Sequence, residues 1–142
     1  MNVKTKKSKN KPLLKGLLLK AAVKAAAASY SPYSRFPVGA ALMVAGGKVF
    51  TGCNIENASF GLTVCAERVA VGNALSAGKR TFLALAVAGG RGKAVRPCGA
   101  CLQVLAEFCG PDFPIQLAPL NNLKKTETVT LRDLLPQAFS LP

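Results

Sequence analysis

Two short stretches, T-V-C-A-E-R at 63–68 and R-P-C-G-A-C at 96–101, set three cysteines and a glutamate at two prospective helix starts, in a chain with no histidine. Cys98 and Cys101 alone admit three readings. A dithiol redox pair needs C-x-x-C at a helix start, where the helix end lowers a thiol pKa. A closed structural zinc site needs a second close pair, which Cys53, Cys65 and Cys109 do not form. An open zinc site needs one more ligand and an acid/base group, and Cys65 and Glu67 supply both. In mid-helix, residues two apart point to different faces, so Cys65 and Glu67 can share a site only if Cys65 lies where the chain enters the helix. Three thiolates leave one tetrahedral position for water. Positive helix ends and the neighbouring Arg68 offset their charge.

The rest of the sequence sets bounds on this site. At 142 residues the chain has the length of one domain. None of its apolar runs reaches the roughly 18–20 residues of a membrane span, and Lys15, Lys20 and Lys24 interrupt every stretch that could serve as a secretory core. Five cysteines, an odd number in a chain without the character of a small disulfide scaffold, fit reduced thiols and a cytoplasmic location. Cys53 and Cys109 read as small buried hydrophobes. The net charge of +13 is lopsided: eight of the 19 basic residues fall in the first 24, with no acid among them. A basic arm could attract nucleic acid. This one has no arginine or aromatic residue to stack on bases, so residues 1–11 read as a solvated, disordered arm and 12–142 as a single domain.

From Pro12, the spacing of Leu14, Leu17, Leu18, Ala21, Ala25 and Ala28 predicts a helix. The proline-rich segment 31–37 is a loop. V-G-A-A-L-M-V-A and K-V-F-T-G-C-N form a hairpin with a two-residue Gly46-Gly47 turn. A helix follows from about Val64 to a C′ glycine, Gly78. Then come a strand at F-L-A-L-A-V-A-G buried on both faces, a helix from Cys98, strands at P-I-Q-L-A-P and T-E-T-V-T, and a short helical L-R-D-L-L-P. The alternation argues for α/β layers around one sheet.

C-A-E followed by P-C-x-x-C is a zinc deaminase signature. With F-P-V-G-A-A-L, G-C-N-I-E-N-A-S-F-G and P-C-G-A-C-L-Q-V-L-A-E-F, the stretch from Tyr30 to Phe139 resembles the small homotetrameric cytidine deaminases. The resemblance implies a three-layer α/β/α domain with a five-stranded mixed sheet. It also implies one Zn²⁺ per subunit on Cys65, Cys98 and Cys101, with Glu67 shuttling protons in the hydrolysis of cytidine and deoxycytidine. Asn54 and Glu56 would bind the ribose hydroxyls, Phe36 would pack on the base, and the Ala66 main chain would meet the pyrimidine edge. Arg68 would bond the ligand thiolates. Phe139 would close a neighbouring subunit's pocket, and Phe60 would sit on the loop that reaches across subunits. Each has a plainer competitor: Asn54 and Glu56 as turn residues, Phe36 and Phe139 as core. Leu102 stands where the family often has arginine, and Arg35 where histidine is frequent. A deaminase of another aminopyrimidine nucleoside, of the blasticidin type, and a nucleic-acid editor are the alternatives, with nucleic acid disfavoured by the short chain.

Overall fold

The computed structural model describes residues 11–142. The expected basic arm therefore lies outside the described residues except for Lys11, which opens the first helix. The element order is α1 (Lys11–Ala26), β1 (Val38–Val44), β2 (Val49–Cys53), a 3₁₀ turn (Phe60–Leu62), α2 (Ala66–Ser76), β3 (Phe82–Gly89), α3 (Gly99–Phe108), β4 (Pro114–Ala118), β5 (Glu127–Thr130) and α4 (Leu131–Leu134). One five-stranded sheet runs β2-β1-β3-β4-β5. Only β3 and β4 are parallel. The crossover that joins them is α3, so its N-terminus follows the carboxyl end of β3, where open α/β sheets place their ligands.

The sheet has a face of larger side chains and a face of small ones. Leu42, Val44, Leu85, Val87, Ile115 and Leu117 point to one side and pack with Ala66, Ala70, Leu102 and Leu105 of α2 and α3. Ala41, Ala86, Ala88 and Ala118 point to the other and meet Leu18, Leu19 and Ala22 of α1. The small face lets α1 come close. A Cβ at Gly39 would lie 1.9 Å from the Ala22 carbonyl oxygen. Because Leu85 is fully buried, Leu85→Ala is expected to lower stability by about 2–5 kcal/mol in urea denaturation, through lost transfer energy and the cavity left behind.

The expected stripe on α1 is corrected by this packing. Leu17 is 58% exposed and Ala28 is also exposed, whereas Leu18, Leu19, Ala22 and Ala26 are buried. The helix carries Leu and Ala on most sides, so its period does not choose a face; the sheet does. The hairpin turn is one residue longer than expected. The Val44 N–H bonds the Lys48 carbonyl at 3.0 Å, leaving Ala45, Gly46 and Gly47 as the loop, with φ of 89° and 84° at the two glycines. β3 is buried at Phe82 and from Leu85 onward, but Leu83 is 46% exposed. No helix among the described residues is long and apolar enough to cross a membrane.

Candidate active site

Cys65 and Cys98 each occupy the N-cap of a helix, with extended backbone (φ −71°, ψ 152° and φ −70°, ψ 164°), and neither side chain caps its helix. An N-cap oxygen would normally turn back to the free N–H groups of the first turn. These sulfurs turn elsewhere. Cys101 is the third residue of α3, one turn from its N-cap, a spacing that puts the two side chains together. Cys98 Sγ lies 3.4 Å from Cys101 Sγ and 3.9 Å from Cys65 Sγ, and all three sulfurs fall within 4.8 Å of one another. Zn–S bonds of about 2.3 Å in a tetrahedron separate sulfurs by about 3.8 Å. The donors therefore fit zinc in both chemistry and spacing. No other His, Cys, Asp or Glu among the described residues joins this group, so these residues offer three donors, the number an open site uses.

The environment prepares the thiols. The Cys65 thiol is pulled down to about 5 by its bond with Cys101 and, after it, by Arg68 and Cys98, against the opposing effect of burial. Cys101 is pushed up by the same pairing and by burial. Arg68 Nη2 bonds the Thr63 carbonyl at 3.4 Å and lies 3.7 Å from Cys65 Sγ, and its buried Nε has no partner. Leu102 packs into the core, so Arg68 is the cation among the described residues that bonds a site sulfur. The sign for the metal-free protein follows. From about pH 5 to pH 9 the unfolded chain binds the Cys65 proton that the folded chain has released, so stability rises with pH. Glu67, with its raised pKa, acts in the opposite sense, so the Cys65 contribution is read in zinc-stripped Glu67→Gln, whose melting is expected at a higher temperature at pH 8 than at pH 6.

Glu67, the second residue of α2, is 5% exposed. Burial is the largest cause raising its pKa, aided by the Cys65 charge and opposed by its own main-chain N–H, Arg68 and Cys101. The carboxylate thus sits within electrostatic reach of the sulfurs without joining them. Ala66 is fully buried. As the first helical residue, its N–H has no intrahelical acceptor.

The N-x-E segment is drawn to this site by Ile55, which pairs with Tyr30 on one side and Val64 on the other. Both Ile55–Val64 main-chain bonds are 2.9 Å. That antiparallel bridge sets Asn54 opposite Cys65 and Glu56 opposite Thr63. Asn54 is largely committed to the preceding loop: Oδ1 accepts from the Val38 N–H at 2.9 Å and from the Ser29 hydroxyl at 2.5 Å, and Nδ2 donates to the Phe36 carbonyl at 2.9 Å. One amide proton remains. Glu56 accepts from the Tyr33 N–H at 2.9 Å, the Ser34 N–H at 3.2 Å and the Ser34 hydroxyl. The hydroxyl is the largest cause holding its carboxyl below the usual range. Glu56 lines a cavity of about 330 Å³ with Tyr33, Ser34, Phe60 and Thr63.

The aromatic candidates are not core. Phe36 is 42% exposed, Phe60 72% and Phe139 71%. The Phe60 ring meets Tyr33 edge-on at 5.8 Å. Arg35 holds a positive φ of 53°, which non-glycine residues rarely adopt. Cys53 and Cys109 are only half-buried. The sequence reading missed Ser34 and Gln103. Gln103 clamps the C-terminal tail, Nε2 donating to the Phe139 carbonyl at 2.9 Å and Oε1 accepting the Phe139 N–H at 3.0 Å. A half-buried glutamine on a helix carries no signal of such a partner 36 residues away.

An α/β/α domain whose two helix starts bring three thiols and a buried carboxylate together has the donor set and the acid/base group of an open zinc site. Residues 15–116 match the family described as the cytidine and deoxycytidylate deaminase zinc-binding region. The chain is 48% identical over 124 residues to the cytidine deaminase of Halalkalibacterium halodurans, covering 87% of this chain and 92% of that protein. It is also 48% identical over 120 residues to that of Mycobacterium tuberculosis, covering 84% and 85%. The crystal structure of the Burkholderia pseudomallei cytidine deaminase superposes with a TM-score of 0.82 at 46% identity, over 87% of this chain and 98% of that one. The chain belongs to the cytidine and deoxycytidylate deaminase family.

Proposed function

We propose that the protein hydrolyses cytidine and deoxycytidine to uridine and deoxyuridine, releasing ammonia. The observation that carries this reading is the placement of Glu67, buried and raised in pKa, beside three thiols that project from two helix starts. Zinc held by Cys65, Cys98 and Cys101 would supply the Lewis acidity that makes water nucleophilic near neutral pH. Glu67 accepts a proton from that water as its oxygen adds to C4, and delivers the proton to N3 of the ring. The second water proton passes by way of Glu67 to the exocyclic nitrogen, the C4–N bond breaks, and ammonia departs. A carboxylate kept from bulk water suits both transfers, since its pKa lies nearer the working pH than that of an exposed glutamate.

The other contacts orient the nucleoside. Glu56, ionised and facing the cavity, accepts from a sugar hydroxyl, and Asn54 adds its remaining amide proton. Phe36 packs on the base, and the Ala66 main chain bonds the pyrimidine edge. Arg68 balances thiolate charge. The exposed Phe60, Leu62, Phe139 and Leu141 favour a homo-oligomer, in which Phe139 closes a neighbour's pocket and four copies share their sites. The work of such an enzyme is pyrimidine salvage in the cytoplasm.

The test is the fall in cytidine absorbance with and without chelator, alongside elemental analysis. Zinc-dependent turnover with one zinc per chain is expected; turnover indifferent to chelation overturns the reading. Removing residues 1–11 is expected to leave cytidine turnover within about twofold, whereas a polynucleotide editor would lose activity and binding together.

A further inference from the structure

We propose that Ser34 is the positioning residue that aims the sugar-reading carboxylate, using the Phe36 main chain as its anchor; this rests on the reading of Glu56 as a sugar contact. Through its single hydroxyl Ser34 donates to Glu56 Oε1 and accepts the Phe36 N–H at 3.1 Å. A carboxylate offers about four acceptor positions, two on each oxygen. The Tyr33 and Ser34 N–H groups take both positions on Oε2. The Ser34 hydroxyl takes one on Oε1, and one is left for a ligand in the cavity that Glu56 and Ser34 line. Main-chain donors alone therefore hold one oxygen of Glu56. The direction of the other is fixed by Ser34, which is anchored in turn to the backbone of Phe36.

A side chain at an exposed turn has a simpler role available, that of holding the turn, and the two roles separate by ligand. Deleting the hydroxyl leaves both main-chain bonds to Oε2, so the turn and the charge persist. What goes is the aim of the one free acceptor. Ser34→Ala should then weaken only ligands that carry a 2′ or 3′ sugar hydroxyl, and it should not touch the step at Cys65, Cys98, Cys101 and Glu67.

The experiment uses the zinc-loaded full chain. Kinetics with cytidine are measured for the unaltered protein, Ser34→Ala and Ser34→Thr, and calorimetric Kd values for uridine and 2′,3′-dideoxyuridine. Ser34→Ala is expected to raise KM and the uridine Kd about tenfold, the scale of a hydrogen bond to a charged group. Its kcat should stay within about twofold and its dideoxyuridine Kd should not move, and Ser34→Thr, which keeps a hydroxyl, should restore uridine binding. Equal weakening of both ligands, a fall in kcat with KM unchanged, or no effect overturns the proposal. Should Ser34→Ala not fold, Ser34→Gly deletes the same hydroxyl and is read the same way. If the unaltered protein does not turn over cytidine at all, the deaminase reading fails and takes this one with it.

Discussion

Glu67→Gln is expected to lower kcat for cytidine by roughly 10²–10⁴-fold, the range for a positioned acid/base group, while zinc stays at one per chain. Glutamine matches the shape of glutamate but cannot accept the water's proton. The substitution should not unfold the protein. Glu67 is 5% exposed, and burial raises its pKa above that of an exposed glutamate. With the folded pKa above the unfolded one, ionising Glu67 opposes folding as pH rises through that range, so an uncharged isostere leaves Tm unchanged or raises it. Full turnover with zinc still bound would remove Glu67 from the mechanism. Loss of zinc together with activity would make it a structural group instead.

Cys101→Ser should have the second large effect, and through a different link. Cys101 is 1% exposed and lies at the first turn of α3, 3.4 Å from Cys98. Serine fits the space but is a poor zinc ligand at neutral pH, where the thiolate is what binds. Zinc retained after dialysis is expected to fall from one per chain to near none, and turnover to fall more than about 10³-fold with the loss of the metal's Lewis acidity. The unaltered protein should gain about 4 kcal/mol of stability at a thousandfold excess of zinc over its Kd, and the variant should gain little. A variant that keeps its zinc and its zinc-dependent stabilisation would mean that two sulfurs suffice.

The parts of this site legible in the sequence are those fixed by local geometry. That Cys65 must stand at a helix boundary followed from the different directions of residues two apart, and the chain does place it at the N-cap of α2. Cys98 and Cys101 followed from the same spacing at α3. Gly78, at φ 74°, ends α2 where a C′ glycine was expected. The order of strands and helices followed from periodicity and turn residues. The face of α1 did not, because a helix of Leu and Ala on most sides has no polar side to mark solvent, and close approach at Gly39 decides it. Nor could sequence show that Asn54 gives most of its amide to Val38, Ser29 and Phe36. Those bonds depend on the loop 29–38 folding back over the end of β2. The same return creates the Ser34 bridge, and a separate one, the C-terminal tail reaching back to α3, creates the Gln103 clamp. Three of the four acceptor positions on Glu56 are filled from that loop, so the plain reading as a turn residue holds for this side chain, and the fourth position is the one the proposed sugar contact would use.

All of the chemistry depends on three sulfurs from α2 and α3 meeting one metal while leaving it a place for water. X-ray absorption at the zinc edge of the purified protein tests this most directly. Three sulfur scatterers at about 2.3 Å with one lighter oxygen neighbour are expected. Four sulfurs, or fewer than three, would contradict it.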